Sequence, residues 1–226
     1  MKSKSRSLIF SLIFAVLLGV NVSKPKQVIA NDFFDSTEAP VNYFEDNLPK
    51  RIISNFGEDA STQMLVTWQI NKDIDDQYLL LAPYADVTYS NAIKLKATIT
   101  EWELLNEEFP FANQLKRNSC RVDINDLLPG VKYRYKVGND DYLSDEYYFT
   151  TANSNGEFTF AMMSDPQSIR TINYSNMTLA AQRIMNEDKA DFLLIGGDIS
   201  ELGGVEDFYS RFFITQNILK EMPVST

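Results

Sequence analysis

Two apolar runs of strand length each close on a single carboxylate. FTFAMMSDPQS, residues 158 to 168, leads to Asp165, and DFLLIGGDIS, residues 191 to 200, leads to Asp198. If the runs are parallel strands joined by a right-handed crossover, their carboxyl ends share one sheet edge and the two aspartates become neighbours. Carboxylates brought close together repel unless a proton or a cation neutralises them, and a hard ion with oxygen ligands does this well. Gly196 and Gly197 immediately before Asp198 would let the backbone approach an ion or a phosphate. Taken singly, each aspartate also suits a plain helix N-cap or turn after a strand. The pair is what points to metal chemistry.

The residue inventory closes other routes. The 226 residues include no histidine and a single cysteine, Cys120. A Ser/His/Asp or Cys/His nucleophilic apparatus, a Cys/His zinc site and an intrachain disulfide are therefore excluded. Cys120 reads as a buried strand residue, since free cysteine behaves mostly as a small hydrophobe.

The elements that would position the aspartates follow from periodicity. Residues 1–30 read as an export signal, with MKSKSRS as its basic start, LIFSLIFAVLLGV as its apolar centre and cleavage after Ala30; an uncleaved anchor is the alternative. Without Lys2, Lys4, Arg6, Lys24 and Lys26, the 21 basic residues fall to 16 against 31 acidic ones, a balance of −15. This disfavours nucleic acid or, after cleavage, a membrane surface as partner. The expected location is secreted, or the cell surface if the segment stays. Residues 31–47 read as an acidic linker.

From Lys50 the runs RIISNFG, QMLVTWQI, QYLLLAPY, AIKLKATITEWEL, CRVDINDL, KYRYKVG and EYYFTTA predict a β-sandwich over 48–152. Met64, Val66 and Trp68 alternate onto one face, as do Tyr133, Tyr135 and Val137, and Trp68 is expected between the sheets. After a polar hinge at residues 152–156 the pattern becomes strand, helix, strand, helix over 157–226. The helices are expected over 175–187 and along Val205, Phe208, Phe212 and Leu219, and Pro223-Val224-Ser225 reads as entry to a third strand. The fold class is thus a β-sandwich followed by a βαβα portion of an α/β domain.

On these motifs the chain resembles a known family. SDPQS followed some thirty residues later by GGDIS is similar to the first two metal-binding motifs of the calcineurin-like metallophosphoesterases. RIISNFGEDASTQMLVTWQI and VDINDLLPGVKYRYKVGNDDYLSDEYYFTTA resemble the fibronectin-III-like N-terminal domain of the purple acid phosphatases. The resemblance implies hydrolysis of phosphate monoesters at a dinuclear centre of Fe with Zn, Mn or Fe. Asp165 then corresponds to a ligand of the first metal and Asp198 to the carboxylate that bridges both. Glu201 stands where the family usually has a tyrosine ligand, so it is a candidate ligand. Gln167 stands where many metallophosphoesterases have a histidine, and hydrogen bonding around the ligands is its expected role, with Gly197 beside it.

The family's third motif, Gly-Asn-His-Asp/Glu, ordinarily follows the next strand, and MPVST reads as the beginning of that strand. That histidine and the later histidine ligands have no counterpart, so no catalytic residue is assigned. The expectation is an incomplete and inactive member of the family. The runner-up is a non-catalytic exported binding module with a remnant hydrolase segment, which an exposed aromatic patch on the sandwich would favour.

Overall fold

The computed structural model describes residues 44–104, 115–154, 156–168, 170–201 and 206–225. The expected signal segment, nearly all of the expected linker, and Val205 lie outside these residues. Among the described residues no helix is long and apolar enough to cross a membrane.

Alternation decides the first half of the molecule. The strands are β1 (Lys50–Phe56), β2 (Met64–Asn71), β3 (Tyr78–Pro83), β4 (Ile93–Lys96), β5 (Thr98–Leu104), β6 (Leu115–Ile124), β7 (Lys132–Gly138) and β8 (Tyr147–Thr150). They form two antiparallel sheets in the orders β1-β2-β6-β5 and β4-β3-β7-β8. This is the expected fibronectin-III-like sandwich. Met64, Val66, Trp68 and Ile70 face Tyr133, Tyr135, Val137 and Phe149 across its interior. Trp68 is buried, and its indole N–H donates to Gln77 Oε1 at 2.9 Å, so the ring contributes apolar area without leaving its polar atom unpaired. Cys120 is buried opposite Trp68 in the β2–β6 register.

One run divides. AIKLKATITEWEL becomes β4 and β5, which belong to different sheets. Between them Ala97 is buried in the core, and its N–H donates to the Gln77 carbonyl at 2.9 Å. A small residue at this point lets the chain cross from one sheet to the other while the alternation continues unbroken, which is why the sequence reads as a single strand.

The second half is a parallel unit. β9 (Phe160–Met163), α1 (Thr171–Arg183), β10 (Phe192–Ile195), α2 (Glu206–Thr215) and β11 (Val224–Ser225) follow in order, with the sheet running β11-β10-β9. α1 starts and ends four residues before the expected span and continues into a π-helical turn, Ile184–Asp188, stopped by Lys189 at φ +52°. Leu219, expected on the last helix, lies beyond it in a 3-10 turn, Asn217–Lys220. Ala161, Leu193, Ile195 and Val224 supply the sheet's share of a core that Tyr174, Ala181 and Phe212 complete from the helices.

The other face of that sheet is uncovered among the described residues, as expected of a βαβ segment with no further strands or helices over it. A near-continuous apolar β9 suits a strand covered on both sides. Here Phe158, Phe160 and Met162 are 68%, 48% and 63% exposed, and Phe192 stacks on Phe160, at 5.4 Å between ring centroids. Nothing among the described residues packs over them, so alternation rather than full burial governs this strand.

The two halves meet along β1. Arg51, at φ +50° where the β1–β2 register shifts, is buried and donates to Gln69 Oε1 at 2.9 Å and to Glu206 Oε1 of α2 at 2.6 Å. Phe44, Tyr209 and Phe213 surround its guanidinium at 5.4 to 5.7 Å. Tyr135 donates its hydroxyl to the Lys220 carbonyl, and Ser54 donates to the Leu219 carbonyl at 3.4 Å.

Candidate functional site

The parallel register places the two motifs side by side. Phe192 to Ile195 pair one to one with Phe160 to Met163, so both chains leave the sheet at the same end. Asp165 is two residues past Met163 and Asp198 three past Ile195. Both sit in left-handed backbone, at φ +50° and +40°. Aspartate tolerates that region better than most residues, yet the conformation costs roughly 1 kcal/mol or more at each position.

Short polar contacts tie the two loops together. The Ser164 hydroxyl lies against Asp165 Oδ2 and 3.3 Å from the Gly196 carbonyl. Gln167 Nε2 donates to Asp198 Oδ2 at 3.2 Å. Its Oε1 is buried without a hydrogen-bond partner among the described residues. Space at Gly196 is tight: a Cβ there would sit 3.2 Å from Ser164 Oγ and 3.3 Å from Met162 Cε, so those side chains would have to give by a few tenths of an ångström. Gly197 is needed for conformation: it adopts φ +108°, while a Cβ on it would meet nothing within 4 Å. The expected close approach of backbone to a ligand therefore has open room at Gly197.

Two further residues organise this edge and are not among the candidates read from the sequence. One is Ser164. The other is Tyr174, fully buried in α1, whose hydroxyl accepts from the Ser168 N–H at 2.9 Å and lies 3.5 Å from the Ile199 carbonyl. It thereby bridges the loop after β9 and the loop after β10. Burial pushes this hydroxyl's pKa up; the Ser168 bond opposes the shift and the nearby Glu201 charge adds to it. Glu201 itself is exposed. An aromatic at helical spacing reads as core, and only the fold shows that its oxygen joins two loops.

The donor set can be tested against a dinuclear metal centre. Among the described residues no three histidine, cysteine or carboxylate side chains gather where they could hold an ion, and the chain has no histidine. Asp165 and Asp198, with Glu201 exposed nearby in sequence, offer oxygen only. Two ions at this edge would each lack most of a protein coordination shell. These residues do not fit a complete two-metal centre.

A fibronectin-III-like sandwich leading into a parallel α/β unit with an aspartate at the end of each of its first two strands defines the class of architecture. Residues 49–151 match the family model described as "Purple acid Phosphatase, N-terminal domain". That stretch of the chain is a purple acid phosphatase N-terminal domain.

Among solved structures, the chain is similar to the purple acid phosphatase PPD1 from yellow lupin (Lupinus luteus) seeds, with TM-score 0.62 and 16% identity. The match covers 80% of this chain and 35% of that one, so the chain spans about a third of its length. At this identity the likeness concerns the fold, and it extends beyond the sandwich into the parallel unit. A structure of PhoD matches with TM-score 0.45 and 15% identity over 79% of this chain and 38% of that one. The FN1-FN3 domains of chicken CNTN1 match with TM-score 0.33 and 14% identity over 47% and 30% of the two chains. Comparison with curated protein sequences gives no match.

Proposed function

We propose that residues 1–226 form the N-terminal portion of a secreted purple acid phosphatase-like metallophosphoesterase, whose reaction class is the hydrolysis of phosphate monoesters, and that these residues alone have little or no turnover. The observation that carries the reading is the placement of Asp165 and Asp198 just past the ends of adjacent parallel strands, directly behind a purple acid phosphatase N-terminal domain. Chemistry sets the limit on activity. Two strand-end carboxylates can attract a cation, but no histidine is present to complete a coordination shell or to protonate a leaving alkoxide.

Two measurements on the purified chain test this. Titration with Mn²⁺ by calorimetry should show weak binding that Asp165→Asn and Asp198→Asn each diminish; binding unchanged in the double variant would remove the shared edge as a cation site. Turnover of p-nitrophenyl phosphate with Fe, Zn or Mn should stay at the blank rate. Robust turnover abolished by Asp198→Ala would show that the chain is a working enzyme by itself.

A further inference from the structure

The outer face of the β4-β3-β7-β8 sheet carries a feature that the phosphoesterase reading leaves unused. Along β7, Tyr133, Tyr135 and Val137 face the core, so alternation turns Lys132, Arg134 and Lys136 outward. The register sets Tyr148 opposite Arg134 on one side, and Lys94 reaches the same face beyond Leu80 on the other. Tyr84, just past β3, hydrogen-bonds its N–H to the Lys132 carbonyl at 3.2 Å and leaves its side chain 46% exposed.

The two tyrosines are held rather than merely present. Their rings meet edge to face at 5.3 Å, and Lys132 Nζ lies between them, 4.4 Å from one centroid and 4.8 Å from the other. Beneath them Arg134 is only 5% exposed. Its Nε donates to the Tyr84 carbonyl at 2.9 Å, and its Nη1 donates to both Glu146 oxygens at 3.2 Å. Glu146 in turn accepts the Tyr148 hydroxyl at 2.5 Å. One buried guanidinium thus fixes the main chain under one ring and the hydroxyl of the other. That is preorganisation, which lowers the ordering cost of binding.

Charge decides what such a face would take. Its acids are matched, Glu146 by Arg134 and Tyr148, and Asp140 by Lys94 and Tyr78. Lys132 and Lys136 are in no close ion pair among the described residues, though Glu221 feels the charge of the first and Glu146 that of the second, in a chain whose net charge is −10. Tyrosine rings flanking lysines offer apolar faces for the C–H face of a sugar ring and cations for regularly spaced anions. A polysaccharide with one carboxylate per sugar presents both. Duplex nucleic acid, with a charge about every 1.7 Å, would be repelled more strongly by the rest of this acidic molecule. A purely structural ladder of cross-strand pairs would gain nothing from a nearly half-exposed Tyr84.

We infer that this outer face binds carboxylated polysaccharide, with Tyr84 and Tyr148 stacking on sugar rings and Lys132 pairing with a carboxylate. The inference is independent of whether the 226 residues hydrolyse phosphate esters. Affinity electrophoresis of the full chain through gels containing polygalacturonate tests it, with neutral dextran and phosphatidylserine vesicles as comparisons.

Retardation by polygalacturonate at low salt, absent with dextran, is expected. Tyr84→Ala and Tyr148→Ala should each weaken it by roughly 2–10-fold, and Lys132→Gln should reduce its salt dependence, all with unchanged far-ultraviolet circular dichroism and cooperative thermal unfolding. No retardation of the wild-type chain overturns the inference. So does retardation that all three variants retain, equal retardation by dextran, or capture by the vesicles without any by polygalacturonate.

Discussion

At the residue scale, several groups owe their properties to neighbours distant in sequence. Glu221 lies against the sandwich beside the turn that carries Lys220. Burial raises the pKa of its carboxyl above the ordinary 4.5, while the charges of Lys132 and Lys220 oppose the rise. The folded chain therefore keeps this proton to a higher pH than the unfolded chain does. Glu221's contribution to stability is full below 4.5 and is lost as pH rises through the folded value. Glu221→Gln should accordingly raise the melting temperature at pH 7 and confer no such gain at pH 4. Equal shifts at the two pH values would show that the carboxyl's titration is not the cause.

The strand-end positions of Asp165 and Asp198 and the burial of Cys120 were readable from the sequence because each residue ends or occupies an apolar run. Cys120 is buried as expected, and burial pushes the pKa of its thiol up to about 12. Arg51 and Tyr174 were not readable. Their roles depend on which loop or helix arrives beside them, and no local pattern encodes that.

At the scale of elements, β1 does two jobs, pairing with β2 and seating the parallel unit. The register shift that puts Arg51 at φ +50° turns its guanidinium towards Glu206, the first residue of α2. An acidic side chain in the first turn also suits the helix dipole. Arg51 is 6% exposed and Glu206 20%, so removing either leaves a charge largely cut off from water. Arg51→Ala should cost about 3–5 kcal/mol in urea unfolding. Combined with Glu206→Ala in a double-mutant cycle, it should show coupling of roughly 1–3 kcal/mol. Additive losses would mean that the pair does not join the two halves.

The strands of the sandwich were legible for a related reason, since period-two burial on one face is a local property. The crossing at Ala97 was not, because the alternation runs straight through it. The π-helical turn after α1 was likewise invisible, as nothing in IMNED departs from ordinary helical spacing.

At the scale of the molecule, the described chain places a sandwich core and an α/β core on opposite sides of β1, and the fold likeness to a purple acid phosphatase spans both. The apolar sheet face of Phe158, Phe160 and Met162 remains open to solvent. Exposed apolar surface of this kind attracts like surface. Opposing it is a net charge of −10, which holds copies apart over a Debye length of about 10 Å at 0.1 M salt and only about 3 Å at 1 M. The chain's colloidal behaviour therefore hangs on ionic strength: light scattering should rise as NaCl is added, and Phe160→Ser with Met162→Ser should suppress the rise. Scattering that is flat with salt, or unchanged in the double variant, would show that this face is not adhesive. For a molecule of this design, dissolved salt sets how long it stays dispersed, by screening the repulsion that keeps one uncovered sheet face from meeting another.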